Sequence, residues 1–597
     1  MPKKFTFNFN FFKRKKDASN KLSLGELVWF GFNYTAGISF TAVFATLLYG
    51  KTGVTLGTHM IWIFLVEGLI AGTCAWAFAR LSRVHPGTNG AAYIYTRSSY
   101  GRFWGWLIAF VQYSTLPVIV TSQIISMIRI NFTDPSSFLY ANWGVWSNFA
   151  LDLIGIAIYG LVSCVLFFGM KVFKYFVNIS AYIKWITTFL LIAAVITLFV
   201  KSGFSNYETV IDHQNLTANS FSEAFTSCFF FFLGFETYST IGKNVKNPQR
   251  NISLSIIIVM FLATLFYVLV TVLMIGAVVG NFSDNPNLQV FDLLGKKFNA
   301  KWLGQTGILI MLICTISLKA NAGMQNALYS GGILEPLAVE GYLPDKFKDL
   351  NKDGIAYRAS RLNLIITFIF ALVFLVIPDL VQAITDTFNK VDKPSTVLNY
   401  GTITGEASFI MIIIYSFVIS IALKLSWQKK LRHNKFEFGI WTFALLFLLW
   451  QLVMWFLNLA NSFIDGVNNL HSVDAISHSA GIVALVSNSL QIFYIVLVFT
   501  FAIIWYFTYY KPKLLIRIET NQQEQYDQEF LLKDDWAFVA KNLQSEIENY
   551  LDRNTRIYNN ETNKNYQLAQ KVRKELIDSE GEWKEDDENK EKVTGET

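Results

Sequence analysis

The chain predicts an all-α polytopic membrane protein, and three observations carry that prediction. Of its 597 residues 53% are hydrophobic and only 16% charged, with 54 Phe and a mean hydropathy of +0.37; soluble domains carry about 25% charged residues. Apolar runs of about 20 residues, enough to cross about 30 Å of hydrocarbon, recur along the chain. Lys and Arg gather in alternate connecting segments, which is the asymmetry that orients membrane helices.

Taken in order, the apolar runs predict twelve spans, at about 24–49, 57–79, 103–130, 149–169, 175–200, 221–242, 252–280, 302–334, 361–379, 399–424, 438–463 and 480–509. Residues 1–21 precede them as a basic segment (Lys13, Arg14, Lys15, Lys16), and the first run is too long for a cleavable signal and lacks a cleavage site. The transmembrane domain is expected over 22–510. Residues 518–597 carry 20 Asp and Glu against 11 Lys and Arg, so the rest of the chain holds a net charge of +16. With an even number of spans both termini share a side. The basic residues Arg80, Arg83, Arg97, Arg102, Lys171, Lys174, Lys243, Lys246 and Arg250 collect on that side, so both termini are expected in the cytoplasm of a multi-pass cell-membrane protein. The cysteines (Cys74, Cys164, Cys228 and Cys314) all fall inside predicted spans and read as small hydrophobes, with no metal spacing.

Two spans contain elements foreign to a continuous lipid-embedded helix. The sixth reads FFFFLGFETYSTIGKNVKNPQRNI at 229–252. Gly234 disfavours helix by about 1 kcal/mol, and Glu236 near mid-span is expensive facing lipid. Broken helix is tolerated at this depth only where it lines a protected cavity, so the pair predicts an unwound, cavity-lining point; the plainer alternative is a packing glycine beside a structural carboxylate. A transporter built from inverted repeats needs a matching break five spans earlier. There the first span reads GFNYTAGISF at 31–40, with Gly31 and Gly37 bracketing Asn33, Tyr34 and Thr35. Freed N–H groups at a half-helix N-terminus suit a carboxylate, and freed carbonyls suit an ammonium.

Four segments resemble the amino acid–polyamine–organocation superfamily, and specifically its amino-acid permeases: GFNYTAGISF (31–40), RLSRVHPGTNGAAYIYTRSSYGRFWGW (80–106), FFFFLGFETYSTIGKNVKNPQRNI (229–252) and NALYSGGILEPLAVEGYLPDKFKDLNKDGIAYRA (326–359), in the family's order. The resemblance implies a five-plus-five inverted repeat (about 22–200 and 221–424) with broken helices 1 and 6, two extra helices (about 438–509), and a substrate site between the breaks. It implies that Ala36, Gly37 and Ile38 offer N–H groups to a substrate carboxylate, that carbonyls around Asn33, Phe230 and Leu233 face its amino group, and that Phe230 acts as a gate. Thr35, Ala36 and Gly37 stand where the family usually has Gly-Ser-Gly, and Lys243 and Asn244 where it usually has an acidic pair.

No GxxxxGK phosphate loop is present, so the expected driving force is an ion gradient or exchange. YFVNISAYIKWITTF (175–189) resembles the fifth helix of proton-coupled permeases, whose lysine stands where sodium-coupled relatives bind a cation. Lys184 then substitutes for sodium's charge and, desolvated, can release a proton; the alternative is a lysine paired with a carboxylate for packing. A proton is thus the expected coupling ion, and no cofactor, metal or nucleic acid is expected. Glu67 and Lys319 also fall mid-span, where a buried charge needs a partner; they can pair with each other. Arg80, Arg83, Arg97 and Arg102 read as ordinary cytoplasmic anchors. Residues 511–597 form an expected cytoplasmic tail with an amphipathic helix near 531–552, which docks on the transporter or a partner, or is a solvated tail. The expected function is secondary active amino-acid transport by alternating access, as symport or exchange; a polyamine transporter of this fold and a non-transporting amino-acid sensor remain as alternatives. The six histidines are scattered and form no catalytic motif, which argues against an enzyme.

Overall fold

The computed structural model describes residues 21–49, 56–84, 89–132, 143–211, 215–278, 286–388, 400–428, 431, 433–471 and 475–514. The basic N-terminal segment and the tail helix near 531–552 lie outside the described residues. Among the described residues, ten continuous helices are long and apolar enough to cross a membrane: His59–Arg83, Arg102–Met127, Gly144–Phe168, Met170–Ser202, Pro248–Ala277, Lys301–Val339, Tyr357–Phe388, Thr402–Trp427, Lys435–Leu470 and Gly481–Leu514. They are spans 2–5 and 7–12. Two more apolar segments complete the expected twelve, and neither is one helix. Span 1 comprises Leu24–Thr35 (1a) and Phe40–Tyr49 (1b), separated by residues 36–39. Span 6 comprises Ala218–Phe229, a single 3₁₀ turn Phe230–Phe232, and a short second helix Thr237–Thr240. The chain is an all-α multi-pass membrane protein; among the described residues, β pairing is confined to isolated bridges at Leu22–Val245 and Asn89–Ile241.

Local chemistry sets the starts. Ser23 and Glu26 form a reciprocal cap at the start of span 1a, Asn434 and Glu437 do the same for span 11, and Pro248 opens span 7, where its missing N–H costs nothing. Span 9 runs past the expected end at 379 to Phe388. Its polar residues Asp379 and Asp386 are buried in protein rather than in lipid, which is why hydropathy ended it early. Asp379 accepts a bond from Arg129 at 2.9 Å, and Arg129 also pairs with Asp152. Short helices at Ser205–Ile211 and Pro286–Lys297 had no hydropathy signal.

Burial orders the spans. The apolar windows of spans 3, 10 and 8 are 83%, 72% and 67% buried, against 28% and 22% for spans 11 and 12. Spans 3, 8 and 10 therefore stand at the centre, with 11 and 12 at the periphery. Exposed surface is apolar (Leu161, Phe261, Phe443), whereas Asn33, Lys184, Asn321, Gln325 and Asn326 lie inside. That inversion suits lipid outside and a hydrogen-bonded interior.

The face where span 1 begins is sealed. Leu22 N–H donates to the Asn244 carbonyl and Lys246 N–H to the Leu22 carbonyl, both at 2.8 Å. Lys243 pairs with Glu335 at 2.7 Å, and Asn89 joins them, accepting from Lys243 N–H and donating to Glu335. The helix Ala92–Tyr100 lies almost wholly buried beside this seal, and its Arg97, 1% exposed, pairs with Glu340 at 3.2 Å. Arg97, expected as an ordinary anchor, is thus an interior ion-pair member: the buried Glu340 compensates a charge that would otherwise require water. Arg80 likewise pairs with the buried Glu437.

Candidate functional site

The two breaks face each other. At the span 6 break Leu233 is extended and Gly234 adopts φ +115°, a conformation open to glycine and strained for other residues. A Cβ on Gly234 would lie 2.4 Å from the Tyr34 ring, so span 1 packs directly on the span 6 backbone. Tyr267 of span 7 ties them together: its hydroxyl lies 2.7 Å from the Thr35 carbonyl and 2.9 Å from the Phe231 carbonyl, sharing one proton between the breaks. Glu236 caps the opened backbone, accepting Gly234 N–H at 3.0 Å and the Tyr415 hydroxyl of span 10 at 2.7 Å.

Lys184, fully buried on span 5, lies behind the span 1 break. Its ammonium donates to the Asn33 carbonyl at 2.9 Å and to the Ala36 carbonyl, so its partners are two backbone carbonyls freed by the break, the kind of ligand a cation takes from an unwound helix. The Asn33 side chain is engaged as well, donating to the Trp29 carbonyl and accepting from Trp185, each at 2.6 Å.

These contacts revise two expectations. The Asn33 carbonyl was expected to face a substrate amine; Lys184 holds it instead, because an ammonium saturates a freed carbonyl pair as a ligand would. Ala36 N–H was expected to face a substrate carboxylate; it closes the last turn of span 1a on the Phe32 carbonyl at 2.9 Å. Gly37 and Ile38 N–H groups donate to no partner among the described residues. The Glu67–Lys319 pair does not form: both carboxyl oxygens of the fully buried Glu67 lack a hydrogen-bond partner among the described residues, and Lys319 donates to Ser39 Oγ at 3.2 Å.

A cavity of about 60 Å³ opens between the breaks and spans 3 and 8, where one water needs about 10–15 Å³. Of the residues singled out in the sequence, Thr35, Gly37, Phe230, Leu233, Gly234 and Glu236 line it; Asn33, Ala36, Ile38 and Lys184 do not. Hydropathy missed the opposite wall. Gln112, Thr115, Ile119 and Gln123 of span 3 line the cavity, and their helical spacing in an apolar run was the available signal. On span 8 Asn326 receives the Tyr34 hydroxyl and donates to Gln123 at 3.2 Å. Lys319, noted in the sequence only as an unexplained mid-span charge, also lines the cavity.

Comparison with known proteins agrees with this architecture. The amino acid permease family profile matches residues 30–473. Over 337 residues the chain is 22% identical to the Arabidopsis thaliana protein named cationic amino acid transporter 2, vacuolar, covering 55% of this chain and 51% of that one. It is 24% identical to the Bacillus subtilis (strain 168) glutamate/serine transporter AimA over 320 residues, 50% of this chain and 57% of that one. It is also 24% identical to the branched-chain amino acid permease BcaP of the same organism over 322 residues, 50% of this chain and 66% of that one. The chain spans about half the length of the plant relative and somewhat more of the bacterial ones. With the family profile covering most of its length and its two broken spans enclosing one cavity, the chain belongs to the amino acid permease family.

Proposed function

We propose that the protein is a secondary active transporter of amino acids, not an enzyme, working by alternating access in the cell membrane with both termini in the cytoplasm. The observation that carries this reading is the pairing of two broken spans across one cavity, with the Lys184 ammonium on the freed carbonyls of one of them. The names of the three relatives given above, each an amino-acid carrier, point the same way. In this reading the Gly37 N–H group takes the substrate carboxylate at the N-terminus of span 1b, the carbonyls of Phe230 and Leu233 take its amino group, and Phe230 covers it. A proton is the coupling ion. Charged, Lys184 clamps Asn33 to Ala36 and so sets the angle between spans 1a and 1b; losing its proton removes the charge from both bonds and loosens that joint.

Purified protein in liposomes tests the proposal. Radiolabelled amino acid should accumulate uphill when the lumen is alkaline relative to the outside medium. Lys184→Ala should abolish that accumulation while leaving binding measurable by thermal shift. Full pH-driven accumulation in Lys184→Ala would refute the coupling role. Binding with no flux in the wild type would mark a sensor, and flux only against internal substrate would mark an exchanger.

A further inference from the structure

We propose that Lys319 sets the charge of the substrate: the cavity takes amino acids of net negative charge, docking a carboxylate on this ammonium, and turns away cationic amino acids and polyamines. The proposal rests on the transporter reading and narrows it to a substrate class.

Three placements carry it. Lys319 of span 8 is 5% exposed, lines the cavity, and reaches Ser39 Oγ at 3.2 Å. Ser39 immediately precedes span 1b, a ten-residue helix whose first N–H groups have no intrahelical partner and whose dipole favours an anion. The ammonium therefore reinforces an end of the cavity that is already positive. The second placement is Gln112, 3% exposed, whose Oε1 has no partner among the described residues and which lines the same cavity. Its unpaired oxygen is an acceptor and so suits the ammonium of an amino acid, leaving the carboxylate to Lys319.

The third is the distribution of charge. Among the described residues Glu236 and Lys319 are the charged residues lining the cavity; the bonds to Glu236 from Gly234 N–H and the Tyr415 hydroxyl both fall on Oε2, and Lys319 bonds Ser39 Oγ. Around the span 1 break stand two lysines, Lys184 behind it and Lys319 in front. A cationic side chain entering would meet like charge in a water-poor space, whereas a second carboxylate would offset it.

The test measures binding to the purified full-length chain by calorimetry, with L-aspartate, L-glutamate, L-serine, L-lysine and putrescine as probes. The wild type should bind L-aspartate or L-glutamate most tightly and putrescine least. Lys319→Gln should lose about ten-fold or more in affinity for the acidic probes and much less for L-serine; Lys319→Arg should keep the acidic preference. Lys319→Glu should shift preference to L-lysine, and if that variant fails to fold, the Gln and Arg variants decide. Tightest binding of L-lysine or putrescine by the wild type, or an unchanged ranking in Lys319→Gln, overturns the charge assignment and leaves the transporter reading standing. Binding of none of these probes by the wild type overturns the charge assignment, and the liposome uptake assay then decides the transporter reading separately.

Discussion

Gly234 concentrates two demands on one residue: a φ of +115° and contact of its missing side chain with Tyr34. Gly234→Ala should therefore destabilise the protein by about 2–4 kcal/mol, summing backbone strain and overpacking, read as a lowered melting temperature in detergent together with lost substrate binding. The double variant Gly234→Ala/Tyr34→Ala should recover only part of the loss, since it relieves the collision and not the dihedral; full recovery would show that the strain is negligible. Glu67 makes the opposite prediction. A fully buried carboxyl with neither oxygen satisfied among the described residues is a standing cost, and an apolar side chain of similar size should remove it. Glu67→Leu is expected to leave stability unchanged or raise it by about 1–3 kcal/mol. A clear drop in melting temperature would mean that Glu67 serves the native state in a way its surroundings do not reveal.

At the scale of elements, the decisive feature is that the breaks in spans 1 and 6 are fastened to each other through neighbouring spans: Tyr267 of span 7 touches carbonyls of both, Lys184 of span 5 holds one, and Tyr415 of span 10 holds Glu236 at the other. Tyr267→Phe should cost about 1–2 kcal/mol in stability and should weaken substrate binding as well, because it releases the joint that shapes the cavity. Tyr342→Phe is the control. Its hydroxyl also bonds a carbonyl, that of Arg102, at 3.0 Å, and neither residue lines the cavity, so it should lose similar stability with binding intact. Equal effects of the two variants on binding would refute a special role for Tyr267.

For the whole molecule, the sealed face predicts how the protein rests. Lys243, Asn89 and Glu335 join the end of span 6, the segment before the helix Ala92–Tyr100, and span 8, and Leu22 pairs with the same end of span 6. Removing Glu335's charge should shift the population toward a state open on this face. With Thr237→Cys as reporter and the exposed Cys164 changed to Ser, adding Glu335→Gln should speed labelling by an impermeant thiol reagent from the face where span 1 begins, by about ten-fold for about 1.4 kcal/mol of bias. An unchanged labelling rate would mean that the pair is incidental to closure.

The amino-acid sequence determined the class of the molecule, the order of its ten continuous spans, and the two places where helices come apart. These follow from the length of apolar runs and from glycine and polar residues set inside them, which act over a single turn of chain and so are legible locally. Gly234 and Glu236 announced the span 6 break for that reason, and Lys184 announced itself by depth. Only the tertiary structure decided what the loosened groups bind. Asn33's carbonyl goes to a lysine about 150 positions away in sequence, Ala36's N–H turns back to its own helix, Arg97 is interior, and Lys319 faces the cavity rather than Glu67. Each depends on which helix faces stack against one another, and a membrane span's hydropathy is blind to that, since a polar residue turned toward protein and one turned toward lipid lower it equally.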